Sequence, residues 1–288
     1  MIYRLYPALS TKLWGGDKLA QIFNAKENKI GEAWIMSCLG NNSSTTHTNE
    51  SLLDVFLKNK DIVKKGYQGD FPLLIKLIDA NDDLSIQVHP EVKTEFWHIL
   101  SSHPSRLYMG FNQDTFKENV ASSLANSKIT SLLNYIKVRA GDSYLITPGT
   151  IHAIGKGTFL IEIQRSADVT YRLYDFDRVD KDGKKRELHI NEALKVIDYH
   201  RLNPKHSKSD ELLVSCPYFK VYRYHIDDKK NFIATSDSFN AITIINGSAH
   251  IKCKDQDIVL PTYATAFIPA NEGEYVVEGS CDVILTTL

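Results

Sequence analysis

The chain of 288 residues carries 34 basic and 35 acidic side chains, a formal net charge of −1. That balance excludes a global field directed at nucleic acid or at an anionic membrane. Hydrophobic content of 43% and charged content of 24% fit a soluble globular protein with one large domain or two of ordinary size. The cysteines, Cys38, Cys216, Cys253 and Cys281, are widely spaced without a CxxC pair, which argues against a disulfide framework and suits reduced cytosolic thiols. The N-terminal MIYRLYPALSTKLWGG lacks an apolar stretch of signal-peptide length, and no apolar run approaches the ~18 residues of a membrane span. A cytoplasmic protein with neither nucleic acid nor membrane as partner is expected.

The first predicted helix covers 52–65, with apolar Leu52, Val55, Phe56 and Val63. A strand over 84–89 follows. Its period of two puts Ile86 and Val88 on one face and Gln87 and His89 on the other. Pro90 ends it, and a short turn returns the chain as a second strand over 94–100, bringing Glu95 back beside His89. Asp114 is the candidate N-cap of a helix over 115–136, with apolar Phe116, Val120, Leu124, Ile129, Leu132 and Leu133. A strand over 143–147 precedes His152. Strands over 158–164 and 169–174 are joined by a polar connection of hairpin length, whose register would place Glu162 opposite Arg172. Leu160 and Gln164 share the face of Glu162. Asn191 would cap a helix over 191–199, and polar, basic 201–209 reads as a linker. Beyond it, strands are expected over 239–245, 249–253, 263–268 and 274–277, with a turn at Asn246–Gly247.

The pattern is mainly β, with a few inserted α-helices, and suggests a barrel or jelly roll. The break is expected between 1–204, which carries the chemistry, and 205–288. In the latter part His225 and His250 have no carboxylate at ligand spacing, so a barrel without metal is expected there.

Gln87, His89, Glu95 and His152 offer an amide oxygen, two imidazoles and a carboxylate, a donor set suited to zinc or a neighbouring divalent metal. A single buried histidine more often does no more than satisfy backbone groups; four capable residues at this spacing favour a metal. An isolated Glu–Arg strand pair is usually a solvated ion pair of small worth, but this one follows directly on a candidate ligand. Lys93, Lys156, Arg165, Arg172 and Arg178 gather around the same segments, which fits an anionic substrate such as a phosphate ester. Walker-type, GxGxxG and GxSxG motifs do not occur.

Six motifs resemble one family. LWGG (13–16), GEAW (31–34), LIKLIDANDDLSIQVHP (74–90), KTEFW (93–97), PGTIHAIGKG (148–157) and IEIQRSADVTYRLYDFDR (161–178) are similar to the type I mannose-6-phosphate isomerases, in their short bacterial form. The resemblance covers residues 1–200 strongly and the remainder weakly. It implies two cupin-like jelly-roll barrels and one Zn2+ per chain held by Gln87, His89, Glu95 and His152. It also implies a sugar phosphate substrate and a monomer or homodimer. It further implies that Arg172 is an active-site residue and that Lys93, Glu162 and Arg178 stand at catalytic or substrate-contacting positions; Arg178 and Lys156 are the candidate contacts to the phosphate. The chain departs from the family in a shorter His89–Glu95 connection, in Ile35 where an acidic residue is expected, and in Arg178 where longer relatives have lysine. Pro148 also stands one place from the usual cupin position.

Interconverting aldose and ketose phosphates needs a base and a stabiliser of the developing oxyanion. Glu162 is the first candidate for the proton shuttle and Lys93 the second, with Arg172 facing the enediolate. Two competing readings use the same residues. His89, Glu95 and His152 also satisfy the two-histidine, one-carboxylate description of a cupin non-haem iron oxygenase, and a sugar-phosphate sensor would bind without turnover.

Overall fold

The computed structural model describes residues 1–103, 105–206 and 211–288. The chain falls into two compact units, both assembled from separate segments.

One unit comprises Met1–Leu9, Ala33–Lys76 and the described part of 207–288. Its seven-stranded sheet runs in the order Leu212–Ser215, Lys220–Ile226, Cys281–Thr287, Asn240–Gly247, Thr265–Ile268, Tyr3–Tyr6, Thr45–Thr46. A four-stranded sheet follows the order Lys229–Ala234, Gly273–Glu278, Ala249–Cys253, Gln256–Leu260. Alternation is clean in Ala249–Cys253, where Ala249, Ile251 and Cys253 are buried and His250 and Lys252 exposed. The inward residues of both sheets meet in one core that includes Ile2, Ile242, Ile251, Leu260, Tyr275 and Val283. The predicted helix over 52–65 is shorter, Leu52–Lys58, capped by Ser51. Asn59, in extended conformation, ends it and opens a 3-10 turn. Strand Asn240–Gly247 runs through the expected turn at Asn246.

The other unit comprises Ser10–Glu32 and 77–206. Its five-stranded sheet has the order Tyr171–Tyr174, Ile86–Val88, His152–Ile154, Ser105–Phe111, Leu133–Val138. A six-stranded sheet has the order Ser143–Ile146, Glu95–Ser102, Thr158–Arg165, Leu73–Asp79, Ile30–Met36, Ala8–Gly16. The last three of these strands also carry the chain from one unit to the other. Side chains from both sheets interlock in a core that includes Trp14, Trp97, Ile99, Leu107, Met109 and Leu160. The outer face of the five-stranded sheet is covered by helices Lys117–Ala125 and Ile190–Val196, which pack Val120, Leu124 and Leu194 with Ile86, Val88 and Leu173.

Four further expectations are corrected here. The helix predicted over 115–136 stops at Ala125, because Ser127 adopts a positive φ of 54° and residues 133–138 pair instead with Ser105–Phe111. Asp114 does not cap that helix; its Oδ1 accepts the Arg201 N–H. Strands Thr158–Arg165 and Tyr171–Tyr174 do not form a hairpin. Thr158–Arg165 is flanked on both edges, by Glu95–Ser102 and Leu73–Asp79, so no edge remains, and Tyr171–Tyr174 pairs with Ile86–Val88 in the other sheet. Glu162 is accordingly opposite Trp97, and Arg172 opposite Gln87. Helix Ile190–Val196 has His189, not Asn191, at its N-cap position. Of the predicted linker, 207–209 lie outside the described residues.

Candidate active site

Burying Ile86 and Val88 beneath the helices turns Gln87 to the inner face of its sheet. Its register partners are His152 on one side and Arg172 on the other, so Arg172, Gln87 and His152 form one row across three strands. The chain leaves this strand at His89 and Pro90. A turn closed by the Lys93 N–H on the Pro90 carbonyl crosses to the other sheet, where Glu95 is the first residue of its strand. Glu95 lies between Ile146 and Gln164 in that sheet.

The two rows meet. Glu95 Oε2 lies 3.4 Å from His89 Nε2 and Oε1 3.2 Å from His152 Nε2, with all three side chains buried. The imidazole rings are 4.8 Å apart. Each histidine directs Nδ1 at a backbone carbonyl, His89 at Val169 and His152 at Thr150, both at 2.8 Å. A carbonyl only accepts, so Nδ1 carries the proton and Nε2 keeps its lone pair, as second partners of metal-ligating histidines commonly arrange. His89 Nε2 and both Glu95 oxygens have no hydrogen-bond partner, and ligand atoms of His89, Glu95 and His152 all lie within 4.8 Å of one another. Orphaned buried polar atoms cost about 1–3 kcal/mol each and more when charged. A cation at their meeting point removes that cost, so the donor set fits a divalent metal.

Electrostatics agree. Burial pushes the His89 imidazole down to about 4, so the ring is neutral at physiological pH. Burial alone would raise the Glu95 carboxyl; the neighbouring Lys93 ammonium holds it well below the usual carboxylate range. Gln87 presents Nε2 at 3.3 Å from His152 Nε2. The loop before His152 depends on Gly149, whose φ is +80° and whose N–H bonds the His89 carbonyl. A Cβ there would come 2.9 Å from the Val196 carbonyl oxygen.

Around this group stand the other candidates. Lys93 is buried, with Nζ 3.3 Å from Glu95 Oε2. Glu162 is buried on the same face as Glu95 and Trp97, and its Oε2 accepts from Trp97 Nε1 at 2.9 Å. Trp97 in turn stands edge-on to His152. Arg172 donates from Nη1 to the Glu187 carbonyl, while its Nε is buried without a partner. Lys156 is exposed, four residues beyond His152, and its backbone N–H bonds Asp83. Among the described residues, no hydrogen bond or ion pair joins Lys156 to the His/Glu group.

Arg186 and Asp175 were not singled out from sequence. Asp175 is buried and accepts from Arg186 Nε at 2.7 Å, from Arg186 Nη2 at 2.5 Å and from Arg178 Nη2 at 2.6 Å. Phe176 and Asp177 both have positive φ, and this tight turn folds Arg178 back on Asp175. Arg178 Nη1 reaches Asp82 at an ion-pair distance of 3.5 Å, yet its Nε and Nη1 make no hydrogen bond. Burial lowers the Arg172 guanidinium, and neighbouring Arg186 and Arg178 add to that shift. Two guanidiniums thus hold one buried carboxylate while Arg172 stands in their field, an arrangement with spare donors and positive charge for an anion. In KKRELHI nothing distinguishes Arg186 from its basic neighbours; the one signal was Asp175 itself, an acid directly after strand Tyr171–Tyr174.

His225 and His250 do meet carboxylates, Asp282 and Asp227 for His225 and Asp257 for His250, contrary to the expectation that none stands at their spacing. All these contacts are partly or wholly exposed, and Asp227 and Asp282 take opposite ring nitrogens, so they do not chelate. Among the described residues His89, Glu95 and His152 form the group of three with converging ligand atoms.

Two packed β-sheets with a His/Glu/His group on their inner faces define a cupin-type protein with a candidate metal centre. Residues 2–126 match the family model for the catalytic domain of type I phosphomannose isomerase, and 209–288 that for the cupin domain of mannose-6-phosphate isomerase. A probable mannose-6-phosphate isomerase of Bacillus subtilis is 31% identical over 98% of both chains. A mannose-6-phosphate isomerase of Streptococcus mutans is 29% identical over 97% of this chain and 96% of its own. The crystal structure of mannose 6-phosphate isomerase from Bacillus subtilis superposes with a TM-score of 0.91 at 28% identity, covering 100% of this chain and 99% of that one. The chain belongs to the type I mannose-6-phosphate isomerase family and is an enzyme of the aldose–ketose isomerase class.

Proposed function

We propose that this chain interconverts D-mannose 6-phosphate and D-fructose 6-phosphate through an enediolate, with one zinc ion bound by His89, Glu95, His152 and Gln87. The observation that carries the reading is the convergence of buried, unpartnered ligand atoms from His89 and Glu95 with His152, in a chain of this family. Neutral imidazoles and one carboxylate suit zinc, and rotation of the Gln87 amide about its last bond would offer its oxygen at the same point. When bound, the cation supplies Lewis-acid polarisation of the sugar carbonyl.

The remaining work falls to side chains. Glu162 takes the proton from C2 of the open-chain sugar and returns it to C1; Trp97 fixes one of its oxygens. Arg172, with an unused Nε on the row of Gln87 and His152, faces the charge that grows on the enediolate oxygens. Lys93 holds Glu95 in place and is poised to assist ring opening. Arg178 and Arg186, splayed by Asp175, receive the phosphate. We assign catalysis to the part of the chain before residue 205 and a packing role without metal to 205–288. The cysteines are all unpaired, which supports a reducing, cytoplasmic compartment, and no helix among the described residues is long and apolar enough to cross a membrane.

The test is elemental analysis of purified protein coupled to an isomerase assay before chelation, after chelation and after zinc is restored. One zinc per chain with activity that follows it supports the reading. Full turnover of mannose 6-phosphate by metal-free protein overturns it.

A further inference from the structure

Gln164 is fully buried at the end of its strand, and its register partner is Glu95. Side chains directly opposite on antiparallel strands leave the same face with Cβ atoms about 4.5–5.5 Å apart. Gln164 therefore sits beside a candidate ligand and two residues from Glu162 on the same face. Its Nε2 donates to the carbonyls of Arg165 at 3.0 Å and Ala167 at 2.8 Å. Carbonyls only accept, so just one orientation of the amide is compatible with them, nitrogen toward the connection and oxygen away from it. That oxygen is buried without a hydrogen-bond partner. The residue thus offers a single acceptor, fixed in direction before anything binds and unable to serve as a donor.

We propose that Gln164 is a specificity-determining residue of the isomerase site, its Oε1 accepting a hydrogen bond from a non-reacting hydroxyl of the open-chain sugar. The inference rests on the isomerase reading above. A polyol chain entering a dry pocket needs an acceptor for each hydroxyl it buries. The carboxylates nearby have other duties, Glu95 as ligand and Glu162 as proton carrier. A neutral amide can hold a hydroxyl without competing for the transferred proton or adding charge beside the enediolate. An acceptor held in place by two bonds to its own backbone also needs no reorganisation when substrate arrives.

The test compares wild type and Gln164→Met on fructose 6-phosphate and on its 3-deoxy, 4-deoxy and 5-deoxy analogues, with zinc content measured in each protein. The expected result is a fall in kcat/KM of about 10- to 100-fold for fructose 6-phosphate, with bound zinc unchanged. One deoxy analogue, lacking the recognised hydroxyl, is then turned over equally by both proteins. A uniform fall on all four sugars overturns the proposal, because loosening the 165–167 connection or losing a trapped water would act in that way. Loss of zinc, or no fall at all, overturns it too. A wild-type protein that fails to convert fructose 6-phosphate defeats the isomerase reading itself, a separate outcome.

Discussion

Glu95 Oε1 and His152 Nε2 lie 3.2 Å apart although they stand on strands of different sheets. The sheets are held at that spacing by their shared apolar core, so the site is preset by packing rather than assembled by the ligand. His89→Ala and His152→Ala should each lose bound zinc and isomerase activity together, since the remaining donors cannot close a shell. Stoichiometric zinc by elemental analysis, with full turnover in either variant, would refute the ligand assignment.

Variants at Arg172 and Glu162 test the proposed charge-stabilising and proton-transfer roles separately. Arg172→Ala should lower kcat by on the order of 100-fold or more, with a smaller change in KM, because enediolate charge exists mainly near the transition state. Glu162→Gln should keep zinc and substrate binding but lose exchange of the C2 proton with solvent, as an amide is not a useful base. If Arg172→Ala chiefly raised KM, the guanidinium would belong to phosphate binding. Near-normal exchange in Glu162→Gln would move the shuttle to Lys93.

The His89–Glu95 half of the candidate metal group was legible in sequence because local rules governed it. Alternation in IQVH fixed which face Gln87 took, and Pro90 fixed where the strand ended. The partner of Glu162 was not legible. A short polar connection between two strands looks like a hairpin, and only the occupied edges of Thr158–Arg165 forbid it. Residues 133–136 were lost to the helix for a similar reason: their apolar spacing suits a helix, and pairing with Ser105–Phe111 overrides it. Arg186 escaped because a solvated lysine run and a carboxylate-bound arginine read alike until Asp175 is placed. Gln164 was seen on the face of Glu162, but its orphaned oxygen is a property of the folded loop alone.

Gly149 links the loop geometry to the ligand it delivers. Gly149→Ala should destabilise the fold by about 1–3 kcal/mol, since the site combines a left-handed φ with a close carbonyl. Because the Thr150 carbonyl orients His152, zinc affinity should fall as well. Thermal unfolding with and without chelator measures both effects. A variant as stable as wild type that retains zinc equally well would show that this loop does not constrain His152.

If Arg178 and Arg186 receive the phosphate as proposed, Asp175 ties that binding to acid stability. Burial alone would raise its carboxyl, but the bonds from Arg186 and Arg178 lower it below its ordinary value. A carboxyl depressed in the folded state contributes stability that is fully present above its unfolded pKa, about 3.9, and is lost as pH falls through the folded value. Asp175→Asn should therefore be less stable than wild type at pH 7, by about 1–3 kcal/mol. The difference should shrink progressively below about pH 4, where wild type loses the same contribution. With its two guanidiniums released, the variant should also show a KM for mannose 6-phosphate raised about 10-fold or more at little cost in kcat, and Asp175→Glu should recover part of that loss. Denaturation midpoints from pH 7 to pH 3, set beside the two kinetic constants, decide the matter. A stability gap that stays constant across that range, or a loss confined to kcat, would mean that Asp175 does not hold the arginines for the phosphate.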